Sequence, residues 1–424
     1  MKNKFIALLL ILMLVFGLAG CGTQSSESEE SSQETQEATQ ETSSDIPEEA
    51  YEDVVYYLTD GLVSADDIVY TIDGIDVSAA YYFYWITYEA YLYSQAYYNA
   101  YYVYPEITQE FSDGTTMAEY VMTSAYNYML SYVCAYARAA ADGVELSGDY
   151  LDEYETYYSD SVTELGEEIW DNAVSAGTLS EDDYTDEEKA TIVEVYGQTQ
   201  MAYYLMYYST TADGIDSLYY YTNYFNQYRD YLFLDGGEYE LTDEEIDEYI
   251  STYDIYSCRY IFFGDDTSTS ISDEEFEEYE AQALACYEEL SALSGDELDE
   301  AIAGYTAENS DGNTTGEVCF SSSSSLVDGI IDLVETLEIG QIGMTEQTDN
   351  GYYVIIRDEI TRDTIITELE YSVEVSASET AFETMVLEWI DEADVTDYGL
   401  MDDFDIYTFY ENLETLRDLI DAVN

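Results

Sequence analysis

The carboxylates of this chain have almost nothing to pair with. There are 94 Asp and Glu against 9 Lys and Arg, no histidine, and a formal net charge of −85. That balance excludes electrostatic binding to nucleic acid, which depends on Lys and Arg neutralising phosphates. It also disfavours adhesion to anionic lipid. Solubility and self-repulsion account for the charge most simply. Weak retention of divalent cations is the sharper alternative, since carboxylates are hard-cation ligands. No ordered calcium loop is found: "DGNTTGEVCFSS" at 311–322 begins like an EF-hand but ends in serine where such a loop closes with glutamate. The 50 tyrosines fit the same constraint. Tyrosine can cover surface where Lys and Arg are scarce and keep its hydroxyl in water. An aromatic platform for glycans or peptides is the competing reading of runs such as "AYYFYWITYEAYLYSQAYYNAYYVY".

The first residues read as an export signal: Lys2 and Lys4, an apolar run from Phe5 to Leu18, then "LAGC" at 18–21. The run falls short of the roughly 20 residues a membrane span needs, and the basic, apolar, small-residue order is that of a signal peptide. Its end resembles the bacterial lipobox, which makes Cys21 the expected lipidation site. Residues 21–50 are polar and acidic and predict a disordered tether. The expected location is the outer face of the bacterial cytoplasmic membrane, with the bilayer held through Cys21.

Cys134, Cys258, Cys286 and Cys319 lie too far apart for a zinc ribbon or a redox CxxC. Apolar neighbours predict small buried thiols. No metal-ligand cluster, Walker loop, GxSxG or Ser/His arrangement occurs, so no metal and no cofactor is expected.

About 370 residues remain for folding, too many for one ordinary core. Two strands around Asp73-Gly74 form a hairpin signal, and Ser78 is placed to cap the helix that follows. Helical periodicity marks 119–141, stopped by Gly143, and further helices are read at 148–176, 185–209 and 214–233. Thr242 and Glu245 form a capping box. Then the pattern changes. "IYSCRYIFF" (255–263) reads as a strand, and Ser272 with Glu275 caps a long helix. A short helix at 296–303, a loop at 304–316, the strand "EVCF", a helix at 326–338 and the strand "GYYVIIRDE" follow. Residues 378–392 open a final helical section. Short strands interleaved with helices predict an α+β unit.

Segment 251–362 resembles a parvulin-type peptidyl-prolyl isomerase domain, on the order and spacing of its segments. "GEVCF" follows the family's loop-to-strand run, "LEIGQIG" (337–343) its helix-exit turn, and "GYYVII" (351–356) its last strand. The anchor and helical flanks, with "YTIDGIDVS" and "LTDEEIDEYI", resemble the PrsA/SurA class of extracytoplasmic foldases. This resemblance implies an α+β protein in which N- and C-terminal helical flanks form one chaperone body around an inserted parvulin-like domain. The implied boundaries are 1–20 signal, 21–50 tether, 51–250 helical domain, 251–362 parvulin-like domain and 363–424 C-terminal helical segment.

The resemblance also implies a site. Glu308 takes the place of the family's active-site aspartate or cysteine, and Leu326 and Ile330 fall where apolar residues line the proline pocket. The family's two histidines, one on the first strand and one on the last, are replaced by Tyr260 and Tyr353. Cys319 and Thr315 replace glycines. The expected function is a membrane-anchored foldase for unfolded secreted polypeptides, held in a tyrosine-lined cleft, with an isomerase site that has lost its histidines. Proline isomerisation breaks no covalent bond, so a tyrosine pair can in principle keep the hydrogen-bond network. Two tyrosines that merely fill core space are the competing expectation. A ligand- or glycan-binding surface lipoprotein is the rival from another class, but it calls for two lobes with parallel sheets.

Overall fold

The computed structural model describes residues 46–423 apart from 113, 235, 266–270, 309–314, 322–323 and 325–328. Cys21 and Leu326 lie outside the described residues. The protein is α+β, mostly helical, with small antiparallel sheets. Its chain divides into two compact units, the first containing Glu238–Ala381 and the second the described part of Gln33–Gly237 together with Phe382–Asn424.

The second unit begins with two single-turn helices, α1 (Glu48–Glu52) and α2 (Val54–Leu58), and a hairpin of β1 (Ile68–Ile72) and β2 (Ile75–Ser78). Asp73 and Gly74 at its turn have φ of 49° and 85°, the left-handed pair that a two-residue hairpin requires. Ser78 caps α3 (Ala79–Tyr101), accepting from the Tyr81 N–H at 3.4 Å. Then come α4 (Met117–Ala141), α5 (Asp149–Ser175), α6 (Asp186–Tyr207) and α7 (Ala212–Phe233). Capping boxes start α4 at Thr116/Glu119 and α6 at Thr185/Glu188.

Aromatic rings build this unit's core. Trp85 of α3 stacks on Tyr128 and Tyr132 of α4, with centroids 5.4 and 5.3 Å apart. Phe225 of α7 closes on Tyr132 at 4.9 Å. Phe382 is fully buried, 4.8 Å from Phe225 and 5.6 Å from Trp389.

In the other unit, α8 (Asp243–Thr252) leads into a four-stranded antiparallel sheet. Its strands are β3 (Ile255–Gly264), β4 (Thr315–Ser321), β5 (Ile342–Met344) and β6 (Gly351–Asp358), in the order β4-β3-β6-β5. Because side chains alternate across a strand, β3 and β6 supply two different cores. On one face Ile261, Val354 and Ile356 pack with Ala283, Cys286 and Leu290 of α9 (Asp273–Leu290) and Leu298 and Ile302 of α10 (Asp296–Glu308). On the other, Cys258, Phe262, Tyr353 and Ile355 pack with Ile330 and Val334 of α11 (Ile330–Thr336) and with Leu337. A third cluster joins Ile246 of α8 to Ile255, Cys319 and Ile366. A two-strand ladder, β7 (Ile365–Ile366) and β8 (Tyr371–Ser372), then precedes α12 (Val373–Glu392). After it come β9 (Val395–Asp397) and α13 (Ile406–Val423).

Several boundaries differ from the sequence reading. The stretch 304–308, expected as loop, is helical, because α10 runs through Gly304 to Glu308. Tyr305 holds that last turn down, donating to Glu289 at 2.8 Å and packing on Phe263. The described part of the helix expected at 326–338 is α11, residues 330–336. The final helix starts at Val373, five residues before the expected 378, where the Ser372 hydroxyl accepts from the Val375 N–H. Four short strands, β5, β7, β8 and β9, went unread, since two or three residues are too few to show alternation.

Candidate functional site

The first strand of the sheet, β3, and the last, β6, lie side by side at its centre. Their register pairs Tyr260 with Ile355 and Phe262 with Tyr353. Tyr260 and Tyr353 are therefore diagonal neighbours on one face, within reach for aromatic side chains. Their rings meet edge to face, centroids 5.7 Å apart and planes inclined at 67°. Tyr353 also stacks on Phe262 at 4.6 Å.

Backbone and packing fix each ring. Tyr353 is pinned through its main chain: its N–H donates to Thr345 Oγ1 at 3.0 Å, and its carbonyl accepts from the Thr345 N–H at 2.9 Å. Gly316 lies opposite Tyr260 on β4. A Cβ at Gly316 would fall 2.5 Å from Tyr260 Cζ and Oη, so bare backbone there lets the ring lie across the neighbouring strand. Tyr260 is half-buried, whereas Tyr353 retains only 8% of its exposure. Ile330, the first residue of α11, is buried in the same apolar cluster.

Of the five residues expected in the site, Tyr260, Ile330 and Tyr353 therefore come together. Glu308 is the last residue of α10, and its side chain, like Leu326, lies outside what is described. The sequence reading missed Phe262, Phe320, Val334 and Leu337, which floor the cluster. Phe262 carried a legible signal, two residues beyond Tyr260 and so on the same face.

Two cysteines bear on the chemistry. Cys258 shares the cluster of Tyr353, and Cys319 lies in the separate cluster around Ile246. Burial pushes both thiols up to about 12. Neither is a thiolate near neutral pH, which excludes both from nucleophilic work there. All four described cysteines are buried and unbridged. Among the described residues, no group of three or more His, Cys, Asp or Glu is placed to hold a metal ion. No helix among them is long and apolar enough to cross a membrane.

The site is thus a half-open aromatic pair over an apolar floor, on the central strands of an antiparallel sheet flanked by helices. No family model matches the chain, and neither does any curated protein. Among solved structures it is similar to PrsA from Bacillus subtilis, with 14% identity over 71% of this chain and 93% of that one, at a TM-score of 0.23. It is also similar to the foldase protein PrsA from Streptococcus pneumoniae, with 13% identity over 72% and 99%, at a TM-score of 0.21. Both TM-scores are low, and the reading of the site rests on its own geometry.

Proposed function

We propose that this protein is a lipid-anchored extracytoplasmic foldase whose parvulin-like segment, 251–362, binds proline-containing stretches of unfolded secreted polypeptides. The helical segments 51–250 and 363–424 would form the chaperone body. The observation that carries the reading is the Tyr260–Tyr353 pair with Ile330 in one cluster, on the first and last strands where the resemblance requires two active-site side chains.

Rotation about a peptide bond has a barrier of about 20 kcal/mol, set by amide resonance. Lowering it requires an apolar slot for the proline ring and hydrogen bonds that favour the twisted amide. Ile330 and Leu326 would line the slot. The Tyr260 and Tyr353 hydroxyls, each able to donate and accept, would supply the hydrogen bonds, with Glu308 at the edge. The burial of Tyr353 and its stack on Phe262 favour a second reading, a binding domain with feeble catalysis.

Proline-limited refolding of a client protein separates the two. An active site predicts acceleration by the parent chain and a loss of about tenfold or more in Tyr353→Phe, the worth of a lost transition-state hydrogen bond. Suppression of aggregation of a proline-free client should be unchanged. A parent that neither accelerates refolding nor holds unfolded chains would overturn both readings. The anchor has its own check. Cys21→Ser should leave the membrane fraction, and a variant that stays there in detergent-free fractionation would refute lipidation at Cys21.

A further inference from the structure

The end of α3 carries an exposed aromatic surface that no core absorbs. Tyr98, Tyr101, Tyr102, Val103 and Tyr104 are all exposed, Tyr102 to 80%. The rings are ordered against one another: Tyr104 stacks on Tyr98 at 4.6 Å, Tyr101 lies 4.5 Å from Tyr97, and Tyr102 meets Tyr98 edge-on at 6.4 Å. Exposed apolar patches of this kind mark interaction surfaces.

Backbone strain at the same place points the same way. Tyr102 is the C-cap of α3 with φ of 58°, and its N–H donates to the Tyr98 carbonyl at 2.7 Å. Glycine or asparagine ordinarily takes that left-handed position, since a Cβ is disfavoured there. Strained positions of this kind cluster at functional sites.

Charge selects the partner. No Lys or Arg occurs from residue 5 to residue 137, while Glu106 and Glu110 are exposed just beyond the rings. Elsewhere the protein's own cations lie over aromatic faces: Arg417 over Tyr207 at 4.1 Å, Arg357 over Tyr256 at 5.0 Å and Lys189 over Trp170 at 5.3 Å. The α3 tip thus offers electron-rich faces beside acidic side chains, with no cation nearby in sequence. Guanidinium suits such faces best, being planar and weakly hydrated. Four rings leave room for more than one cation.

We propose that Tyr98, Tyr101, Tyr102 and Tyr104 form a docking surface for arginine-bearing stretches of polypeptide. The surface deepens the chain-holding part of the foldase reading and does not depend on isomerase chemistry.

The test is fluorescence anisotropy of the full chain with a fluorescein-labelled peptide of repeated Gly-Arg-Ser, at physiological salt. Lysine and glutamate versions of the peptide serve as comparisons. The arginine peptide should bind tighter than the lysine one, and the glutamate peptide should not bind. Changing all four tyrosines to serine leaves the charge untouched and should weaken binding by about tenfold, the loss of several exposed cation–π contacts. Changing them to phenylalanine should preserve binding. Circular dichroism of each variant checks that the exposed substitutions leave the fold intact. Equal binding by the serine variant and the parent would overturn the proposal, leaving only the general attraction of an acidic protein. A serine variant that instead lost affinity for phosphatidylcholine vesicles would reassign the patch to a membrane surface. The peptide contains no proline, so a failure of the isomerase reading, measured by refolding, and a failure here, measured by peptide binding, are read separately.

Discussion

Glu89 is a carboxylic acid in the wrong solvent. It sits on α3 with 3% of its surface exposed, and its Oε1 is buried with no hydrogen-bond partner. Burial pushes its carboxyl from the ordinary 4.5 up to about 8. The group is therefore mostly neutral at pH 7 when folded and ionised when unfolded. Folding loses stability as pH rises above the unfolded value, by ~1.4 kcal/mol per unit, until the folded group ionises near 8. We expect Glu89→Gln to be more stable than the parent at pH 7 by a few kcal/mol, with the difference shrinking toward pH 4.5. Denaturant unfolding of both proteins across that range measures it. A gap that does not change with pH would show that Glu89 is ionised in the fold. The surrounding apolar and tyrosine residues are plain in the sequence. That they close over residue 89 is not.

Helices show the same division. Four capping boxes, Thr116/Glu119, Thr185/Glu188, Thr242/Glu245 and Ser272/Glu275, form within three residues of sequence. Two of them, at Thr242 and Ser272, were read directly. The contact between α5 and α6 has no such local sign. A Cβ at Gly166 would fall 2.0 Å from the Val193 carbonyl oxygen, and one at Gly197 would fall 1.8 Å from that of Val162. Each helix thus presents a Val-x-x-x-Gly turn to the other, backbone on backbone. The contrast with Gly316 is physical: a tyrosine ring can swing aside, whereas a helix carbonyl moves only with its helix. We expect Gly166→Ala and Gly197→Ala each to destabilise by about 1–3 kcal/mol, read as a lower denaturant midpoint. Midpoints equal to the parent's would mean the helices are not held so close.

At the scale of the whole molecule, the chain's far end completes structures begun near its start. Strand β9 pairs with β1, Tyr70 opposite Asp397, to finish a three-stranded sheet. Phe382 and Trp389 of α12 pack on Tyr228 of α7. Removing 364–424 would strip that sheet of a strand and that core of Phe382. We expect the truncated protein to lose cooperative unfolding of its helical part, followed by thermal circular dichroism. The cluster around Ile255 and Cys319 is completed by Ile246, Ile366, Val373 and Ala377, all of which lie outside 251–362. A fragment spanning 238–381 should therefore unfold cooperatively and at a higher temperature than 251–362. The reverse order would place the unit's boundary closer to the sequence reading.

By itself, the sequence determined what neighbours along the chain decide: the hairpin at Asp73-Gly74, the helix caps, the α+β alternation after residue 250 and the charge that excludes nucleic acid. Only the tertiary structure decided which distant groups meet. Tyr260 and Tyr353 are 93 positions apart, and a slip of one residue in the β3–β6 register would send one of them to the opposite face. The third strand on the hairpin, the sealed environment of Glu89 and the bare backbone contact of α5 with α6 depend likewise on pairings between remote segments. Caps and turns are set by a few dihedrals and one or two hydrogen bonds among adjacent residues. Register, burial and helix approach are set by packing, a property of the assembled core that no single stretch of chain contains.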